Sequence, residues 1–182
     1  MRAHSAILIV LLLTLSACSY FRKSDDNFKK CPSVGMVSDA QGWAEPPSST
    51  DWKARAQINE FDMKCKVSKT NVTVQITPKV AAERSGEVTD SMKQELPFFI
   101  AAMKGDEIVQ KNIENKIINF TSQEKMAKDD FTISIELPFN DEGTAADRSV
   151  FFGFQLNEEQ LNYMRSLRED RANAAINPEN PQ

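Results

Sequence analysis

Asn71-Val72-Thr73-Val74-Gln75-Ile76-Thr77-Pro78-Lys79-Val80 is the stretch that decides the fold. Val72, Val74, Ile76 and Val80 alternate with Thr73, Gln75, Thr77 and Lys79. A period of two, carried by β-branched residues, is the mark of a strand with one buried face. Pro78 has no N–H to give to a ladder, which predicts an edge position or a bulge. Working outward, Lys69-Thr70-Asn71 reads as a turn, and before it Ala54–Val67 places Phe61, Met63, Cys65 and Val67 on one face. After it, Leu96–Met103 (LPFFIAAM) is apolar on both faces, as in a covered central strand. Lys104-Gly105-Asp106 predicts a hairpin turn. Ile108–Phe120 is a strand of imperfect apolar phase, which predicts a bulge or a switch between sheets. Phe131–Leu137 alternates cleanly, Phe151–Leu156 is densely aromatic, and Val34–Ser38 is a short apolar strand. Gln41–Asp51, Ala82–Gln94 and Asn140–Arg148 read as loops.

About seven strands with turns between them predict an all-β fold, an immunoglobulin-like β-sandwich. A short C-terminal helix closes it. Asn157-Glu158-Glu159-Gln160 has the form of a capping box, with Leu156 and Leu161 at the staple positions. The helix is expected from about Glu158 to Glu169. Its narrow stripe of Leu161, Met164 and Leu167 is expected to pack over the sandwich. The domain so defined spans 31–168, and 169–182 reads as a disordered tail.

The N-terminus is organised differently. Arg2, the apolar run Ala6–Leu15 and then small residues have the three parts of a secretory signal. The run is half of the roughly 20 residues a spanning helix needs. Leu15 sits where ordinary signal cleavage after Ala17 would want a small residue. Leu15-Ser16-Ala17-Cys18 instead resembles the lipobox of bacterial lipoproteins. The resemblance implies that residues 1–17 are removed as a signal peptide and that Cys18 carries acyl chains of the palmitate class. Ser19 after the cysteine implies sorting to the outer membrane. One acyl chain holds a protein only marginally, whereas two or three make attachment effectively permanent. Residues 18–30 then form the lipidated cysteine and its polar tether, with a reach of about 20 Å.

Composition narrows the chemistry. The net charge of −4 over 182 residues, with dispersed charges, is no match for nucleic acid. The one histidine, His4, lies within the signal. A mature chain without histidine has neither a Ser-His or Cys-His pair nor an imidazole-bound zinc. With Cys18 assigned to lipid, Cys31 and Cys65 remain, an even pair in an oxidising compartment. They are read as a disulfide, the alternative being two separate reduced thiols. Two cysteines this far apart make no zinc site, so no metal or cofactor is expected.

Cys31-Pro32-Ser33-Val34, the Lys53–Cys65 strand, Ala81-Ala82-Glu83-Arg84, Leu96-Pro97-Phe98-Phe99-Ile100 and the ending Gly153-Phe154-Gln155-Leu156-Asn157-Glu158-Glu159-Gln160-Leu161 are similar to a family of small alphaproteobacterial lipoproteins. The likeness spans Cys31–Arg165. It departs at the Ser68–Asn71 turn and in the polar character of Ile108–Phe120. It implies the anchor, the disulfide and the domain, and it brings no catalytic residue.

Four residues are candidates for an interaction surface. Glu83 and Arg84, at a strand end, are read either as a pair that orders a loop or as a surface ion pair. Trp43 and Trp52 flank the first long loop, as core anchors or as aromatics shown to a ligand. Asp129-Asp130, Asp141-Glu142, Asp147 and Asp90 form a possible carboxylate rim, but no loop has calcium-binding spacing. The expectation is a non-enzymatic binding or scaffolding module, lipid-anchored in the cell envelope on an outer membrane facing the periplasm. Its partners would be the membrane, through the lipid, and an envelope protein met at a strand edge, either the Pro78 strand or Cys31–Ser38. The alternatives are a histidine-free periplasmic hydrolase using carboxylates and a lipoprotein binding a small ligand or metal.

Overall fold

Burial on every second residue is what the alternation around Val72 requires, and Val72, Val74 and Ile76 are fully enclosed. The computed structural model describes residues 31–45, 52–86, 89–138 and 147–176, with side chains as far as residue 173. The expected signal peptide, Cys18 and the tether lie outside the described residues. Nine strands are described: β1 (Ser33–Met36), β2 (Gly42–Glu45), β3 (Ala54–Val67), β4 (Asn71–Arg84), β5 (Met92–Lys104), β6 (Glu107–Phe120), β7 (Met126–Asp130), β8 (Ile133–Pro138) and β9 (Ser149–Phe154). A 3-10 turn covers Ser38–Ala40, and α1 covers Glu158–Ile176.

The strands form two sheets. One runs β1-β9-β5-β6; the other runs β2-β3-β4-β7, with β8 also paired to β4. One sheet is curled into a half-barrel. Their inner faces enclose a core tied by aromatic contacts: Phe98–Phe154 at 4.7 Å, Phe98–Phe131 at 5.7 Å and Phe61–Phe152 at 4.9 Å between ring centres. The fold is mostly β with a C-terminal helix, as expected, but the immunoglobulin-like connectivity is not shown by this strand order. Nine strands replace seven because β2 and β7 fell within segments read as loops or left unassigned. β2 is four residues long, and β7 buries only Ala127, so neither carries enough apolar residues to display a period. The loop expected over Ala82–Gln94 is also shorter. β4 continues its alternation through buried Ala82 and Arg84, a small residue and a charged one that hydropathy overlooks.

Pro78 is not at an edge. β4 pairs with β3 on one flank and with β8 then β7 on the other. β8 faces Asn71–Ile76 and β7 faces Lys79–Glu83, so Pro78 sits at the handover. Its carbonyl accepts from the Phe131 N–H at 3.2 Å, so its nitrogen faces the gap between the two partners, where no ladder donor is needed. On the opposite flank β3 shifts register between Ile58 and Glu60, at the same level. Irregularities on both sides of one position bend a sheet.

The β5–β6 hairpin closes through Gly105-Asp106, and Gly105 has φ +58°, the left-handed region that glycine takes without strain. The bulge expected in the following strand is present: the register shifts between Ala102 and Met103, leaving Val109 unopposed. At Gly153 the backbone of Ala40 comes so near that an added Cβ would lie 2.8 Å from the Ala40 oxygen. The 3-10 turn is thereby seated against β9.

Asn157 and Gln160 form the reciprocal cap: the Gln160 N–H donates to Asn157 Oδ1 at 2.8 Å, and the Asn157 N–H to Gln160 Oε1 at 3.1 Å. Gln160 Nε2 donates to the Ala44 carbonyl at 2.8 Å, pinning the helix start to β2. Leu161, Met164 and Leu167 are half-buried, as a packing stripe should be. The helix runs beyond Glu169 into the segment expected to be disordered, as far as Ile176. Ala172, Ala174 and Ala175 have the strongest helix preference of any residue, which outweighs the polarity of their neighbours.

Cys31 and Cys65 are joined as a disulfide with a Cα–Cα distance of 6.2 Å, connecting the residues just before β1 to β3 and so one sheet to the other. Closing a loop of 34 residues' separation is worth about 4 kcal/mol in the chain-entropy account. Adding reductant should therefore lower the urea midpoint by an amount equivalent to about 4 kcal/mol. Cys65→Ser should show the same loss without reductant, measured by fluorescence-monitored unfolding.

Candidate functional site

Along β3 the inward residues Ala54, Ala56 and Ile58 are small or apolar and buried, leaving Arg55, Gln57 and Asn59 on the outer face. β2 brings Gly42 and Ala44 beside Gln57 and Arg55. α1 stands over β2, with Met164 packed on Gly42. A cleft of about 670 Å³ opens between this helix and the outer face of the β2-β3-β4-β7 sheet. Gln57, Asn59 and Ala81 contribute to its floor, and Tyr163, Leu167, Arg168 and Arg171 form the helical wall. Trp52, Met126 and Lys128 also line it.

Three ion pairs organise the cleft. Arg55 donates to Glu83 Oε2 from Nη2 at 2.6 Å and from Nε at 2.9 Å, and its guanidinium lies 4.5 Å from the centre of the Trp52 ring. Arg55 and Glu83 face each other directly across β3 and β4. At the other side Asp39, from the 3-10 turn, accepts from Arg165 Nε at 3.1 Å and pairs with Arg168. Glu83 and Asp39 are thus both neutralised by arginine. Lys128 and Arg171 make no ion pair among the described residues, so the lining carries a positive excess. With a stacked Trp–Arg platform and amide side chains beneath, the cleft is chemically suited to a carboxylate-bearing ligand of mixed polarity.

The four candidate residues separate. Glu83 and Trp52 belong to the cleft. Trp43 is 3% exposed, and its ring is part of the core, so it acts as an anchor rather than a surface aromatic. Arg84, only 6% exposed, points to the opposite face from Glu83, because adjacent strand residues do. Glu83 therefore pairs with Arg55 and not with its neighbour. The Arg84 guanidinium donates to three backbone carbonyls: Glu124 at 2.9 Å, Asp90 at 2.6 Å and Thr121 at 2.8 Å. It lies 5.7 Å from the centre of the Phe120 ring. It is the tie between the β4–β5 and β6–β7 connections. Asp129 and Asp130 are exposed on β7, while Asp141 and Glu142 lie outside the described residues. Among the described residues no group of three or more His, Cys, Asp or Glu could hold a metal ion.

Arg55, Lys128, Tyr163 and Arg171 were not singled out from sequence. Arg55 was within reach, since the Ala54/Ala56/Ile58 alternation puts it outward; its opposition to Glu83 depends on register. Comparison with family models, curated proteins and solved structures found no match for this chain.

Arg84→Leu should destabilise the domain by about 3 kcal/mol, because three charge-assisted bonds that tie the two connections together are lost. Glu83→Gln, which breaks an exposed pair, should cost less than about 1 kcal/mol. Chemical denaturation of both variants checks the contrast.

Proposed function

We propose that the protein is a lipid-anchored, non-catalytic binding module of the bacterial envelope. It is held by acylated Cys18 on an outer membrane facing the periplasm, and it receives a partner in the cleft beneath α1. The observation that carries the binding reading is the cleft itself, with the Trp52–Arg55 platform and with Lys128 and Arg171, cations that make no ion pair among the described residues. The anchor reading rests on Leu15-Ser16-Ala17-Cys18 and on the resemblance to small alphaproteobacterial lipoproteins. An acidic or carboxylate-bearing segment of an envelope protein fits the lining. Both carboxylates of the cleft are occupied by arginine, which favours recognition over the acid–base work a carboxylate hydrolase needs.

In cells fed labelled palmitate, the native chain should take up label and require detergent for extraction. Cys18→Ala should lose both properties, and a soluble, unlabelled native chain would remove the anchor. For the cleft, a photo-cross-linking residue at Trp52 should give one discrete adduct with an envelope protein. The adduct should disappear when Lys128 and Arg171 are both replaced by Glu. A spread of adducts, unaffected by the charge reversal, would count against recognition in the cleft.

A further inference from the structure

β6 is the long edge of its sheet, and its free side is treated differently from the edges at β2 and β8. The end strand β2 is covered by α1 through Gln160. The outer edge of β8 is capped by side chains from β6 itself: Asn112 Nδ2 donates to the Ser134 carbonyl at 3.3 Å, and Glu114 Oε1 accepts from the Ser134 N–H at 3.3 Å. No backbone of the described residues pairs with the outer side of β6. Its outward face carries Ile113 and Ile117, which are 57% and 54% exposed. Long edges with apolar side chains pair with other strands unless blocked.

The sequence of this edge says which strand fits. Ile113-Glu114-Asn115-Lys116-Ile117 is a palindrome in its apolar residues and antisymmetric in its charges. We propose that β6 pairs antiparallel with β6 of a second copy of this chain, about a twofold axis at Asn115. Ile113 of each copy then stands opposite Ile117 of the other, and Glu114 opposite Lys116, so that the Glu114–Lys116 ion pair within each chain, at 2.7 Å, meets its inverted copy across the axis. Lys111 falls opposite Asn119. Opposite charges and apolar pairs directly across an antiparallel ladder are favourable, and like charges are not. Moving the axis by one residue places Glu114 against Glu114 or Lys116 against Lys116. The axis at Asn115 joins the two four-stranded sheets into one continuous sheet, with the isoleucines as a shared apolar seam. The interface lies on a different sheet from the cleft and does not depend on the anchor.

The test uses the full chain with Cys18→Ser, so that the remaining native cysteines are those of the disulfide. Sedimentation velocity should give the mass of a dimer, and Ile117→Lys should reduce it to a monomer with an unchanged circular dichroism spectrum. Under mild oxidation Asn115→Cys should cross-link between copies, because residues directly opposite lie about 4.5–5.5 Å apart at Cα, within disulfide range. Ile113→Cys, equally exposed, should not, since its two copies stand four residues apart along the strands, about 13 Å. A native chain that remains monomeric, a dimer indifferent to Ile117→Lys, or cross-linking at Ile113→Cys in place of Asn115→Cys would each overturn the proposal.

Discussion

β4 is bonded along both of its edges while burying every second side chain, and the rest of the domain is arranged around that double obligation. A strand in that position can afford no missing donor in its ladders. It nevertheless contains Pro78. The conflict is resolved by splitting the partner into β8 and β7, so that the proline nitrogen faces the break between them. The split has consequences in both directions. β8 delivers Ile133, Ile135 and Leu137 to the core beneath β5, and β7 carries Lys128 to the rim of the cleft.

The helix makes the second structural decision. Helices in proteins owe most of their stability to packing, and α1 is held chiefly by what it touches. Gln160 closes the capping box and also reaches the Ala44 carbonyl, so one side chain both starts the helix and fixes where it stands. Asp39 draws Arg165 and Arg168 to the 3-10 turn, which is itself seated against Gly153. The wall of the cleft is therefore built from three short-range devices that act on different elements.

Charge is used in the same economical way. Arg84, itself buried, places its donors on three carbonyls from two connections and so ties them together at the end of the core. Arg55 keeps one face on Trp52 and its donors on Glu83, leaving the cleft with an ordered platform. The cross-strand position of each arginine decides which role it has: outward on β3, inward on β4.

By itself the sequence determined the strands whose apolar residues recur often enough to show a period, the glycine hairpin at Gly105, the capping box at Asn157, and the pairing of Cys31 with Cys65 once Cys18 was set aside. The strands, the hairpin and the cap are local patterns, legible because backbone geometry imposes a repeat of two or a cap within four residues, whereas the cysteine pair was legible only by elimination. Only the tertiary structure decided the strand order, the existence of β2 and β7, the interior place of Pro78 and the division of Glu83 from Arg84. These depend on hydrogen bonds between segments far apart in the chain. A register shift of one residue would leave every local pattern intact while reversing which side chains face the core and which face the cleft.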